Sequence, residues 1–157
     1  MNEMNFISDL HPMLVHFPIA FFILYAVIEI ISVFIKDKTY EKFILILLIG
    51  GVIAGLGAVL TGNQAASQIR DLLLTSDSLS NAFDMLGQHE NYATISLWFF
   101  TIILTLRISL LLKKKFTYKW KIIYIGFALI GCFLIFQTGK LGGELVHKHR
   151  INIEKLK

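Results

Sequence analysis

The sequence is poor in cysteine, proline and charge. It contains one cysteine and two prolines, and Asp, Glu, Lys and Arg make up only 17% of its 157 residues. The lone cysteine, Cys132, excludes an intramolecular disulfide, and the lack of a Cys-x-x-Cys-His motif excludes a covalently attached c-type haem. Neither Gly-x-Ser-x-Gly nor His-Glu-x-x-His occurs, so hydrolytic catalysis has no sequence signature here.

Apolar residues dominate the composition. They form 55% of the chain, its mean hydropathy is +0.67, and they fall into four runs at about 14–35, 43–60, 92–112 and 122–138. A run of about 18 or more apolar residues can cross the roughly 30 Å hydrocarbon core of a bilayer as a helix. The sequence therefore predicts an all-α membrane protein, a single polytopic domain over residues 1–157 folded as a bundle of four transmembrane helices.

Lysine is concentrated in two of the connections. Three lysines lie between the first two runs and five between the last two, whereas residues 1–10 contain no Lys or Arg and residues 61–91 contain one arginine. Because short basic loops stay in the cytoplasm, this pattern predicts a multi-pass protein of the bacterial inner membrane with both termini outside. The basic C-terminal tail opposes that orientation. The positive charge is expected to attract anionic lipid headgroups, and nucleic acid is not an expected partner.

The connection between the second and third runs is too long for a bare turn. Residues 63–74 and 78–86 place apolar side chains at helical spacing, which predicts one or two short amphipathic helices lying along the outer membrane surface as a lid. Gly87 is expected to end the second of them, just before helix three opens at His89. The predicted fold is thus a four-helix bundle with a helical extracytoplasmic loop between helices two and three.

Each half of the chain has the same plan of two apolar runs around a lysine-rich connection, ending in Thr-Gly at Thr61 and Thr138. This plan is compatible with a parallel internal repeat, although any two hairpins would look alike. Glycines in the second run, such as Gly51 and Gly55, fit the small-xxx-small pattern of closely packed membrane helices. The alternative is that they make room for a flat ligand such as a porphyrin.

All five histidines fall beside the predicted outer ends of the helices: His11, His16, His89, His147 and His149. Imidazole is the commonest protein ligand of metals. His16 and His89, on helices one and three, could supply both axial ligands of a b-type haem, with His11 and His147 as further candidates. Since His11 and His16 lie about 140° apart around a helix, one continuous helix would not aim both at one point.

A transition-metal site is the alternative to haem. The candidate ligands are imidazoles and carboxylates, which suit Zn, Cu or Fe: His11, His16, His89, Glu90 and Glu144. In either case the pair Gly142-Gly143 is expected to make a sharp turn after helix four, which would fold Glu144 and His147 back over the end of the bundle.

Two charged residues lie inside the apolar runs, Glu29 in the first and Arg107 in the third. A charge in hydrocarbon is costly unless it faces the bundle interior or finds a partner. Both residues lie a similar distance from the lysine-rich connections. The sequence therefore predicts a Glu29–Arg107 ion pair with a structural role.

Three segments resemble a known family: HPMLVHFPIA at 11–20, His-Glu at 89–90 and TGKLGGELVHKH at 138–149. They are similar to the bacterial four-helix membrane proteins called domain of unknown function 2231, over nearly the whole chain. This resemblance implies the fold and the histidines but no reaction. The family positions that this chain matches are His11, Pro12, His16, Pro18, His89, Gly142, Gly143 and Val146. Many members have Tyr at the position of His147, so the resemblance implies a shared site of His11, His16 and His89.

The predicted function is that of an integral membrane protein with an outward-facing histidine cluster. The cluster would bind b-type haem or a transition metal and exchange electrons with a periplasmic carrier or a membrane quinone. The alternatives are a non-catalytic partner subunit of a respiratory or metal-handling complex and a small transporter, although the helices lack a continuous series of buried polar groups for transport. The glycine faces would also suit a homodimer. Enzymatic activity is left open by the sequence.

Overall fold

Four long helices make up the protein. The structure is a computed structural model that describes residues 10–35, 38–74 and 80–148. The helices are α1 (His16–Ser32), α2 (Lys38–Leu74), α3 (Ser80–Leu112) and α4 (Tyr118–Lys148), and those ranges contain no strand. Each helix, with its flanking turns, is long and apolar enough to cross a membrane. The predicted all-α fold with four membrane-spanning helices is confirmed.

The helices form an antiparallel bundle in which each packs against the next, and α4 packs back against α1. Helices α1 and α3 therefore lie on one diagonal. The connections α1–α2 and α3–α4 lie at one end of the bundle, called here the lysine end. The opposite end, called the histidine end, carries His11 and His89. Large apolar side chains remain exposed along all four helices, as expected where lipid is the solvent.

Helix α1 is preceded by a short helical segment over residues 10–14, and Val15 separates the two. Pro18 explains this interruption, because it has no N–H to donate to the carbonyl four residues earlier. The chain nevertheless stays close to helical geometry, since Val15 has φ −62° and ψ −24° and its N–H donates to the carbonyl of His11 at 3.1 Å. His11 thus lies within the bundle's first helical segment.

Helices α2 and α3 continue well past the predicted membrane spans. With 37 and 33 residues, they are about 56 and 50 Å long at roughly 1.5 Å per residue. Residues 63–74 prolong α2, and the described part of 78–86 belongs to α3, so the separate surface helices predicted for this loop are wrong, as is the predicted helix end at Gly87. The continuation is stabilised by a small apolar cluster between the helices: Ala66, Ala82, Leu86 and Leu145.

The centre of the bundle is aromatic. Phe22 of α1 and Phe100 of α3 stack across the diagonal, with ring centroids 3.6 Å apart and ring planes at 6°. A Cβ on Gly51 would lie 2.4 Å from the Phe22 ring, and a Cβ on Gly131 would lie 2.4 Å from the Phe100 ring. These two glycines therefore serve packing, because the space beside each is filled by a phenylalanine.

The lysine end is joined by ion pairs that involve all four helices. Arg107 donates from Nη1 to Glu29 Oε2 and from Nη2 to Glu41 Oε2, both at 2.7 Å. Lys121 of α4 lies 2.8 Å from Glu41 Oε1. Both Glu29 and Arg107 are fully buried, so the predicted pair is confirmed, and Glu41 and Lys121 extend it to a network of two acids and two bases.

Aromatic rings enclose the arginine of this network. The guanidinium carbon of Arg107 lies 4.7 Å from the centre of the Phe116 ring and 5.0 Å from that of Tyr124. A cation over the face of an aromatic ring is attracted by the ring quadrupole. The arginine is thus held by charge on one side and by aromatic rings on another, away from water.

The two hairpins make the same contacts at nearly constant offsets. Residues of α1 and its preceding turn correspond to residues of α3 that lie 78 positions later, and residues of α2 correspond to residues of α4 that lie 80 positions later. The pairs are His11/His89, Phe22/Phe100 and Glu29/Arg107 for the first offset, and Glu41/Lys121, Gly51/Gly131 and Gly62/Gly142 for the second. Corresponding residues of the two hairpins make corresponding contacts, which supports a parallel internal repeat.

Candidate functional site

A cavity of about 160 Å³ lies at the histidine end and is called here the histidine cavity. Its polar lining residues are His11, Asn63, His89 and Glu90, and the remaining wall is made of glycine, alanine, proline and larger aliphatic residues. It lies between the membrane-spanning core and the apolar cluster that joins the helix extensions. Two imidazoles, one from each hairpin, therefore share one small and mainly apolar space.

His11 is held by Thr61. Its Nδ1 lies 3.1 Å from the Thr61 hydroxyl oxygen, which itself donates to the Gly57 carbonyl at 2.9 Å. A hydroxyl has one hydrogen, and because that hydrogen points to a helix carbonyl, the oxygen accepts from His11. The Nδ1 of His11 therefore carries a hydrogen, and in the neutral ring Nε2 keeps a lone pair.

His89 is held in the same way by the main chain of α4. Its Nδ1 lies 3.0 Å from the Thr138 carbonyl oxygen. A carbonyl only accepts, so the hydrogen is again on Nδ1 and the lone pair of the neutral ring on Nε2. The two imidazoles have the same tautomer, and both line the histidine cavity.

Glycines allow both rings to lie against a helix. A Cβ on Gly62 would lie 2.8 Å from His11 Cε1, and a Cβ on Gly142 would lie 3.1 Å from His89 Cε1. The turn predicted at Gly142-Gly143 is wrong, because α4 runs through both residues to Lys148. The lack of a side chain at Gly142 makes room for the His89 imidazole, and α4 continues through this position without a bend.

The other predicted ligands lie elsewhere. His16 and His147 are exposed and Glu144 is half-buried, and none of the three lines the histidine cavity. Glu90 does line it, within α3 rather than at the predicted helix start, and its carboxylate forms an ion pair with Arg70 at 2.7 Å. His149 lies outside the described residues. Over 10–35, 38–74 and 80–148, no group of three or more His, Cys, Asp or Glu side chains is arranged to hold a metal ion.

The positioning groups Thr61 and Thr138 were not assigned a role from the sequence. Both threonines are marked in the sequence, because each hairpin ends in Thr-Gly. A Thr-Gly pair alone, however, does not indicate that the threonine binds a histidine. The partner became visible only with the register of α2 against the segment before α1. The arrangement places two imidazoles, each with its Nδ1 engaged by an acceptor, beside one mainly apolar space.

The family comparison agrees with this architecture. A model of a family described as predicted membrane proteins matches residues 8–155, nearly the whole chain. No curated protein and no solved structure matches the chain. The histidine cavity, the ion-pair network and all four helices fall within the matched residues. The chain belongs to the predicted membrane protein family called domain of unknown function 2231 (DUF2231).

Proposed function

We propose that the protein binds a redox cofactor through His11 and His89 in the histidine cavity, b-type haem before a transition metal ion, and acts in electron transfer. The observation that carries this proposal is the matched state of the two rings, each with its Nδ1–H engaged by a fixed acceptor. Metal-binding histidines almost always donate their second ring nitrogen in this way, which orients the ring and makes Nε2 the ligand. Two such rings beside one cavity form a ligand pair.

The number of ligands favours haem. A haem iron takes one or two axial ligands from the protein, because the porphyrin supplies the others, whereas a structural zinc site takes four and a catalytic one three. The lining of the histidine cavity offers two imidazoles, and the nearby carboxylate of Glu90 is engaged by Arg70. A bound haem would supply one-electron chemistry. His16, which the sequence paired with His89, is replaced in this proposal by His11.

The size of the cavity sets a requirement on this proposal. Pockets for drug-sized ligands measure about 300–1,000 Å³, and the histidine cavity is smaller, at about 160 Å³. A porphyrin therefore needs the cavity to widen, which would separate side chains of the apolar cluster that also line it, such as Ala66 and Leu86. A metal ion with water as additional ligand would need no such change.

The proposed location is the bacterial inner membrane with the histidine end and both termini outside. The absence of Lys and Arg from residues 1–10 and the two lysine-rich connections support this orientation. With that orientation the site would face a periplasmic electron carrier and lie at the level where a membrane quinone approaches.

The test is an oxidised-minus-dithionite-reduced visible spectrum of the detergent-purified protein expressed with haem supply, together with elemental analysis for Fe, Cu and Zn. We expect Soret and α bands that His11→Ala and His89→Ala abolish. The matched control is His16→Ala, which removes an exposed histidine outside the cavity and should leave the bands intact. Loss of the bands in His16→Ala with retention in His11→Ala would restore the His16–His89 pair.

The other outcomes are equally decisive. A blank spectrum with stoichiometric Zn, Cu or Fe that both cavity variants lose would replace haem by a metal ion at the same residues. A blank spectrum without metal would overturn the proposal, and a non-catalytic partner subunit would then be the leading hypothesis, to be tested by co-purification from the native membrane.

Thr61 provides a second prediction about the same site. Thr61→Val removes the hydroxyl that accepts from His11 while nearly keeping the side-chain volume, and losing such a positioning partner typically costs about 10–100-fold in metal affinity. We expect that loss in a haem or metal titration. The control is Thr101→Val, since the Thr101 hydroxyl donates to the Leu97 carbonyl of its own helix and has no other hydrogen-bond partner among the described residues. Equal affinities of the two variants would contradict the role of Thr61.

A further inference from the structure

Helix α3 ends in a tight capping motif whose critical position is a lysine. The N–H of Lys115 donates to the Leu110 carbonyl at 2.9 Å, and the N–H of Lys114 donates to the Leu111 carbonyl at 3.0 Å. This pair of bonds defines a Schellman motif, in which the residue after the helix cap is left-handed. Lys114 is that residue, with φ 52°.

Glycine is the usual residue at this position, because a Cβ disfavours left-handed backbone geometry. Lys114 is the one non-glycine residue with positive φ in the described part of the chain. A lysine here is less favourable to the fold than glycine would be. A residue kept in a less favourable backbone geometry raises the hypothesis that its side chain has a role of its own.

The surroundings of Lys114 are strongly basic. Residues 113–119 are called here the lysine loop. All four of their lysines are exposed: Lys113, Lys114, Lys115 and Lys119. The sequence has no Asp or Glu between residues 91 and 143. The described carboxylates at the lysine end are engaged elsewhere, Glu29 with Arg107 and Glu41 with Arg107 and Lys121. The lysine loop thus has a dense positive charge that the described carboxylates do not neutralise.

Aromatic residues alternate with these lysines and fix the loop's depth. Phe116 and Trp120 pack against the core, while Tyr118 is 63% exposed. Tyrosine and tryptophan concentrate at the membrane–water boundary, because their rings prefer the headgroup region. Aromatic residues at this boundary are expected to hold the four ammonium groups at the depth of phospholipid phosphates.

We propose that the lysine loop binds the phosphates of anionic phospholipids, and that Lys114 keeps a left-handed backbone because its charge serves this binding. Clusters of four or more lysines beside a membrane helix attract anionic lipid. The motif spreads three consecutive lysines around the helix end, so that several phosphates can be contacted at once. This proposal does not depend on the function proposed for the histidine cavity.

Trp120 allows a direct test in the full-length protein. In a Trp98→Phe background Trp120 is the only tryptophan, and its quenching by brominated phosphatidylglycerol or brominated phosphatidylcholine in reconstituted bilayers gives the relative affinity of the loop for the two lipids. We expect a preference for phosphatidylglycerol that falls with added salt. Replacing Lys114 by glycine should reduce this preference about fivefold.

The same substitution should act on stability in the opposite direction. Lys114→Gly relieves the backbone and should raise the Tm by about 2–4 °C. Lys140→Gln, which removes an exposed lysine near the other end of α4, should leave the lipid preference unchanged. If Lys114→Gly keeps the full preference, or fails to raise the Tm, the proposal is overturned. Lys114→Asn, which also tolerates left-handed geometry, should lose the same lipid preference and serves if the glycine variant does not assemble.

Discussion

Replacing Arg107 with leucine is expected to destabilise the bundle by about 3–5 kcal/mol, since removing one partner of a buried pair leaves an uncompensated charge. Glu29 is fully buried and has Arg107 as its partner at 2.7 Å, whereas Glu41 retains Lys121. The loss should appear as a lower midpoint of denaturation for the reconstituted or detergent-solubilised protein, followed by circular dichroism.

A double substitution separates charge from packing. Glu29→Leu combined with Arg107→Leu removes both buried charges, and apolar replacements of buried pairs are often neutral or stabilising, so the double variant should recover most of the loss. The control is Arg70→Leu, which breaks a half-exposed ion pair with Glu90 and should cost no more than about 1 kcal/mol. A double variant as unstable as the single one would show that Arg107 acts through its aromatic contacts instead.

Alanine at Gly51 or Gly131 should destabilise the protein by about 1–3 kcal/mol, because an added methyl group would overpack the aromatic centre. In each case the new Cβ would lie 2.4 Å from a phenylalanine ring. The two rings stack on each other, so we expect the double variant to deviate from additivity. Denaturation midpoints of the two single variants and the double variant measure both effects.

Two other glycines provide matched controls for this prediction. A Cβ on Gly57 or Gly126 would meet nothing within 4 Å. Alanine there should be neutral or stabilising by up to about 1 kcal/mol, because it reduces the entropy lost on forming a helix. Destabilisation of all four variants to the same extent would mean that the phenylalanine contacts do not determine the effect.

The membrane-spanning part of the fold follows from the sequence because hydropathy records where lipid is the solvent. The C-terminal ends of α2 and α4 and the N-terminal end of α3 could not be predicted from hydropathy. A helix that leaves the membrane becomes polar on one side while its backbone hydrogen bonds continue. The Glu29–Arg107 pair was predictable because both charges lie in apolar runs. The part played by Glu41 and Lys121 was not predictable, because an acidic or a basic residue beside a connection between helices is ordinarily exposed to solvent.

The sequence predicted that the candidate site contains histidines, but it did not predict which histidines belong to it. Helical geometry indicates that His11 and His16 cannot both face one point, but it does not choose between them. The structure favours His11 for the cavity because Thr61 on α2 supplies an acceptor for its ring. Likewise, Gly142 had two possible uses, a turn or close approach, and only the neighbouring His89 ring distinguishes them. Such choices depend on contacts between distant segments.

The division of charge between the hairpins has a consequence for biogenesis. Glu29 and Glu41 lie in the first hairpin, and the arginine and lysine that pair with them lie in the second. Glu29 precedes Arg107 by 78 positions, which corresponds to about 4–16 s of synthesis at roughly 5–20 residues per second. During that interval a released first hairpin would expose a lone carboxyl group to hydrocarbon. Either Glu29 is protonated while the first hairpin waits in the lipid, or the first hairpin remains beside the insertion machinery until the second hairpin supplies Arg107.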